Sequence, residues 1–152
     1  MKQQEVPVHG YRPDAVTWKI HLRSSPSKVF AFLTTDAGRA AFWAESAVEH
    51  EGEIQFTFSS GVTYRGRVIR VVPSTLFELD YFASLVRFEL EDDGQGGTDL
   101  TVTNTHFEAD VYLDLHAGWI SVLMALKAAA DHGIDLRNHD PERTWSQGYA
   151  DN

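Results

Sequence analysis

The sequence predicts an α+β fold in which a curved antiparallel sheet of six or seven strands packs on one long C-terminal helix, with two short helices after the first strand. Three observations carry this expectation. Apolar and polar residues alternate in a series of short runs separated by turn residues, the pattern of half-buried antiparallel strands. The period turns helical near Tyr112 and stays helical to His132. A Ser-Pro pair marks a helix start directly after the first strand.

Residues 1–13 read as a tail broken by Pro7, Gly10 and Pro13. Val16, Trp18, Ile20 and Leu22 then alternate with polar residues and define a strand. Ser25 is an N-cap and Pro26 a first helical residue for a helix over 26–34, whose apolar face holds Val29, Phe30, Phe32 and Leu33. Asp36 can cap a second short helix, with Ala40, Phe42 and Trp43 near its end. A run of hairpins follows. Ile54, Phe56 and Phe58 mark one strand, and Ser60-Gly61 a turn. The next strand runs from Val62 to Val72 and stops at Pro73. Phe77, Leu79 and Tyr81 mark another, and Val86, Phe88 and Leu90 one more. After a Gly-rich loop over 92–97, Leu100 and Val102 set the last strand, ending near His106.

From Tyr112 to His132, the residues Leu115, Trp119, Val122, Leu123, Leu126 and Ala130 share one stripe. Gly133 stands where a left-handed cap belongs. Such a helix is about 30 Å long, enough to cross a small sheet. Its stripe, led by Trp119, Leu123 and Leu126, is expected to face Phe56, Phe58, Phe88 and Val102. In the tail over 137–152, Asp140-Pro141-Glu142 is a further cap-plus-Pro start, and Trp145 and Tyr149 can dock it. The 152 residues fit a single domain with its core at about 15–136.

Composition excludes several function classes. A net charge of −9 opposes nucleic acid and anionic membranes. The absence of cysteine removes disulfides, thiolate metal sites and Cys nucleophiles. No N-terminal apolar region suggests a signal peptide, and no apolar run approaches the ~20 residues of a membrane span. The cytoplasm is the expected compartment. The 9 Phe, 5 Tyr and 4 Trp can fill a core or line a ligand cavity.

The ordered residues then carry a resemblance. Ser25-Pro26 with Val29-Phe30, Trp43, Glu51-Gly52, Gly66 and Val68 with Pro73, Gly97-Thr98, and Gly118-Trp119 with Leu123 and Leu126 lie in the order and spacing of one family. Over about 15–136 the chain resembles the START/SRPBCC superfamily and, within it, the group similar to the activator of the heat-shock protein 90 ATPase. Tyr81-Phe82 stands where that family often has a Trp. The resemblance implies a helix-grip fold with a cavity between sheet and helix, but not one activity. Relatives include carriers, cyclases and co-chaperones.

Inward alternation nominates Phe56, Phe58, Tyr64, Tyr81 and Phe88 on the sheet, Trp119 and Leu123 on the helix, and Trp43 at the mouth. Each reads either as cavity lining or as core filler. Asn104 falls on the inward side of the last strand, where its amide needs a partner: a ligand, backbone or water. His106, Asp110, Asp114 and His116 are close in sequence, yet their spacing fits no helical ligand pair, so no metal and no cofactor are assigned. Glu91-Asp92-Asp93-Gly94 reads as a hairpin loop. Glu78 and Asp80 are expected on the solvent face. Arg65, Arg67 and Arg70 suit cross-strand ion pairs or an acidic partner.

The leading expectation is binding of a small, apolar or aromatic molecule. The alternatives are a polyketide cyclase or hydratase using Tyr64, Tyr81, Asn104 or His106, and a chaperone-regulating module. The co-chaperones carry an additional N-terminal domain for which this length leaves no room. A homodimer stays open.

Overall fold

The computed structural model describes residues 14–152, so the expectation for residues 1–13 lies outside the described residues. The strands are β1 (Ala15–Leu22), β2 (Ser46–His50), β3 (Glu53–Thr57), β4 (Thr63–Val72), β5 (Leu76–Asp80), β6 (Leu85–Asp92) and β7 (Thr98–Thr105). The helices are α1 (Pro26–Thr34), α2 (Asp36–Ala40) and α3 (Tyr112–His132). All neighbouring strands are antiparallel, in the order β1-β7-β6-β5-β4-β3-β2, and the curved sheet holds α3 as the sequence leads one to expect.

The path of α3 follows from three contacts with β1 and the residues after it. Trp18 Nε1 donates to the His116 carbonyl at 3.2 Å. Lys127 Nζ donates to the His21 carbonyl. Asp131 accepts the backbone N–H groups of Arg23 and Ser24, each at 2.9 Å. From Trp18 to Ser24 the chain advances about 20 Å as strand, and from His116 to Asp131 about 22 Å as helix. The helix therefore runs beside β1 with matched length. Burial opposes ionisation of Asp131, but the Ser24 hydroxyl and the two N–H groups outweigh it and hold the carboxyl well below its usual range. By length and composition alone α3 could cross a membrane. Here its stripe of Trp119, Leu123, Leu126 and Ala130 is buried against the sheet instead.

The caps explain the helix limits. Ser25 Oγ accepts from Lys28 N at 3.2 Å. The cap of α2 is Thr35, whose Oγ1 accepts from Gly38 N at 3.0 Å, and not Asp36. Asp36 is spent elsewhere: it takes Arg39 Nη2 at 2.7 Å and the Glu49 N–H at 2.9 Å. Arg39 is itself fully buried, with Nε on the Ala47 carbonyl and Nη1 on the Leu33 carbonyl. This buried guanidinium locks α2 onto β2. At Gly133 (φ 64°) the α3 ladder ends in two bonds, Gly133 N to Ala129 O and Ile134 N to Ala128 O, each 3.1 Å.

A seventh strand, within the expected six or seven, was not placed by the sequence, and one expected helix start differs. β2 brings the strand count to seven, although only Ala47 of its five residues is buried. Its hairpin to β3 turns on Glu51 (φ 51°) and Gly52 (φ 80°), a two-residue loop with both centres left-handed. Asp140-Pro141-Glu142 starts no helix. It forms one turn, closed by Arg143 N to Asp140 O at 3.0 Å, before a short 3₁₀ turn at Trp145–Gln147 capped by Thr144.

Candidate ligand cavity

At the far end from Asp131 the helix and sheet part. The space is about 330 Å³ and lies between the first half of α3, the β3–β4 loop and the β5–β6 turn. Rings dominate its wall: Trp43, Phe58, Tyr81, Phe82 and Trp119, with Leu115 and Val122 beside them. Ser60, Asp114 and Ser146 supply the polar rim.

Trp43 follows α2 and is buried, so it forms the cavity floor and not the mouth. Its ring centroid lies 5.0 Å from Phe56, 5.4 Å from Tyr81, 5.6 Å from Phe88 and 6.2 Å from Trp119. All four pairs are edge-on or tilted, the arrangement ring quadrupoles favour. Trp43 Nε1 donates to the Tyr81 hydroxyl at 3.2 Å. Burial pushes the Tyr81 phenol far above its ordinary range, so it stays protonated at any physiological pH.

Asn104 is fully buried, and its partners are internal. Its carbonyl accepts from Trp119 Nε1 at 3.0 Å. Its amide donates to Ser84 Oγ at 2.9 Å and to the Leu85 carbonyl at 3.0 Å. Ser84 Oγ in turn donates to the Tyr81 carbonyl. One network thus ties β7 to α3 and to the β5–β6 turn. Asn104 holds the cavity wall in place and does not itself reach the cavity.

The nominated residues divide into two groups. Trp43, Phe58, Tyr81 and Trp119 come together around the cavity. Phe56, Phe88 and Leu123 fill the core behind it. Tyr64 sits outside the lining, donating to Asp80 at 2.6 Å and stacked on Phe82 with centroids 4.5 Å apart. Burial first, and then the Asp80 bond, raises its phenol. Asp80 is half-buried, contrary to the solvent-facing expectation. Just beyond the last β4–β5 pair, Val68 with Leu79, the Asp80 carboxylate also takes the Arg67 N–H at 3.1 Å.

The remaining candidates disperse. β7 ends at Thr105, so His106 is exposed. His116 stacks between Trp18 and Tyr112 at 4.8 and 5.4 Å. Among the described residues no group of three or more His, Cys, Asp or Glu could hold a metal. Arg65 and Arg67 face Glu53, each at 3.9 Å across the strand pair. Asp93 organises its hairpin loop, accepting from Gln95 N and Gly97 N at 2.7 and 2.8 Å and pairing with His21 at 2.8 Å.

The sequence reading missed Phe82, Leu115, Val122 and Asp114 as cavity residues. For Phe82 the reason is the backbone. Phe82 (φ 49°) and Ala83 (φ 57°) are both left-handed and form the two-residue β5–β6 turn without glycine or asparagine. Tyr81 and Ser84 close it with bonds of 2.8 and 3.1 Å.

A curved antiparallel sheet gripping one long helix, with an aromatic cavity at one end, defines the helix-grip class of protein. Within that class the match is specific: the family model of the Activator of Hsp90 ATPase homolog 1-like proteins covers residues 23–131, more than half of the chain, and the chain belongs to that family. Among curated proteins no relative matches. Solved structures that are similar include the Aha1 dimer from Colwellia psychrerythraea, at 21% identity and TM-score 0.71, covering 78% of this chain and 97% of that one. A protein from Staphylococcus saprophyticus shares 21% identity at TM-score 0.69, covering 79% of this chain and 93% of that one. DynU16, a protein of the dynemicin biosynthetic locus, shares 19% identity at TM-score 0.67, covering 79% of this chain and 48% of that one. At these identities the likeness speaks for the fold alone.

Proposed function

We propose that the protein is a single-domain binder of a small, largely apolar ligand, held between α3 and the open end of the sheet. The observation that supports it is the cavity wall itself. Its rings face the space, while the polar atoms of Trp43, Tyr81 and Trp119 already bond to one another or to Asn104. Such a wall offers apolar contact and asks for few hydrogen bonds in return. Every 100 Å² of apolar surface removed from water contributes about 2.5 kcal/mol before the cost of association. Ser60, Asp114 and Ser146 at the rim suit a ligand with one polar end. The cytoplasm remains the expected compartment.

A catalytic role would need a free acid or base beside the ligand. Of the groups nominated for one, Asn104 is consumed in the core, Tyr64 is held by Asp80 and His106 lies outside, while Tyr81, on the wall, accepts from Trp43 and is kept protonated by burial, so it supplies no base. Binding is therefore the better-supported reading. Native mass spectrometry of the purified protein, together with thermal shift against aromatic and aliphatic compounds, tests it. A co-purifying apolar mass or a raised melting temperature is expected. Protein that is always empty and never stabilised would sink the proposal.

A further inference from the structure

We infer that the cavity continues into a second, aliphatic chamber on the far side of Trp145, and that the ligand is a neutral planar ring carrying an alkyl chain. This rests on the binding reading above and assigns a ligand class to it. The second space is about 490 Å³ and lies between the outward face of α3 and the C-terminal segment. Five residues, Trp43, Ser121, Val122, Trp145 and Asn152, belong to the walls of both spaces. The two chambers therefore adjoin, with the Trp145 side chain at their boundary.

The linings differ in kind. The inner chamber presents rings, and rings stack or meet edge-on with a planar ligand. The outer chamber has Phe42 and the shared Trp43 and Trp145, but the residues it adds along α3 and the C-terminal segment include Ala117, Ile120, Met124 and Leu136. Ile120, Met124 and Leu136 are 43%, 49% and 48% exposed although a chain segment passes over them. Unbranched and branched aliphatic side chains of this type match an alkyl chain, and methionine adapts to its shape.

The segment is held by polar ties. Arg137 donates to the carbonyls of Ala44 and Ala40 at 2.7 and 2.6 Å. His139 lies between Glu45 and Asp135, 2.6 Å from each. At the other end Ser121 Oγ donates to the Ala150 carbonyl at 2.5 Å, and Asn138 N to the Asp151 carbonyl at 2.6 Å. Ordering a segment in this way costs conformational entropy. Protein interiors normally close such gaps by packing, yet here the apolar space beneath stays open. The Arg137 guanidinium, the one cation at the chamber among the described residues, also spends its donors on Asp135. Its donors are engaged and its charge is balanced by Asp135, and Asp151 also lines the chamber, so a ligand carboxylate finds no partner there and the chain end is neutral.

The test is a series of 4-n-alkylphenols, from phenol itself to decylphenol, titrated against the whole protein by calorimetry. Phenol binds in the inner chamber, and affinity rises about fourfold per methylene as the chain enters the outer one. Met124→Glu places a charge in the outer chamber alone. It leaves phenol binding unchanged and flattens the rise with chain length. Ile120→Glu is the second variant, and both substitutions put a good helix former on a half-exposed helical site. A rise that survives in both variants, or binding with no chain-length dependence, overturns the outer chamber and leaves the cavity reading standing. Failure of every member to bind the wild-type protein overturns both.

Discussion

The two ends of the α3–sheet interface are built differently. At the C-terminal end, Leu126 and Ala130 of α3, like Leu22, Val29 and Leu33, are small or aliphatic and buried. Ser24 Oγ and Lys28 Nζ both bond the Ala130 carbonyl, and Asp131 clamps the turn after β1. At the N-terminal end the contacts are rings with centroids 5.7 to 6.2 Å apart, tied by the Asn104 network. Small aliphatic residues let a helix sink onto a sheet, whereas large flat ones stand it off and leave space beside them. One helix can thus anchor the fold with one half and hold a cavity with the other.

This contrast gives a ranked set of tests. Leu126→Ala at the closed end is expected to cost about 2–5 kcal/mol, read as a lower midpoint in urea, because the site is fully buried and tightly packed. A loss no larger than that of a surface substitution would remove the distinction between the ends. Asp131→Asn is expected to cost about 2 kcal/mol near neutral pH by weakening charge-assisted bonds to Ser24 and Arg23. The Asp131 carboxyl is depressed in the folded state. Its stabilisation is therefore present above the unfolded value of about 3.9 and lost as pH falls toward the folded one. Wild-type and variant stabilities should converge below about pH 4, and parallel curves would contradict the assignment.

At the open end, Asn104→Leu strands the Trp119 indole N–H and is expected to cost about 1–2 kcal/mol. Adding Trp119→Phe removes the stranded donor, so the double variant should lose less than the sum of the two singles. Simple additivity in a double-mutant cycle would show that the network carries nothing. The smallest effect belongs to the C-terminal segment. Bonds to Asp135 and then Glu45 raise the His139 imidazole above its ordinary range. The tie is complete below about pH 6.5 and is lost as pH rises through the folded value. Amide exchange over 138–151 should quicken with rising pH beyond the intrinsic rate. In His139→Gln that excess should vanish, with global stability almost unchanged.

What could be read from the sequence depended on whether a signal was local. Ser25-Pro26, the α3 stripe and Gly133 encode their elements within a few residues, and all three lie where expected. Period two placed Asn104 inward, but its partner lies on another element fifteen residues on, so Trp119 was invisible as its acceptor's donor. β2 escaped because an edge strand with one buried residue has no alternation to show. The Phe82-Ala83 turn escaped because its conformation is held by tertiary contact, Phe82 against Tyr64, and not by a turn-forming residue. Asp80 was misplaced because alternation assigns a face and not a partner, and its carboxylate is drawn in by the Tyr64 hydroxyl and the Arg67 N–H. The cavity depends on which rings stand off the helix, a property of three elements at once.

The pairing of β1 with β7 has a consequence for how the chain assembles. Ala15 lies opposite Thr105 and Leu22 opposite Thr98, so among the described residues the first strand, β1, finds its one strand neighbour in the last. During synthesis β1 must wait, unpaired, until the β2–β7 meander and then α3 have emerged. Its polar outward residues, Thr17, Lys19 and His21, help keep that waiting edge soluble. Closing so long a loop before any contact repays it makes the step slow, as for other long-range sheets. The grip that defines the native state is therefore expected to be the last part of it to form.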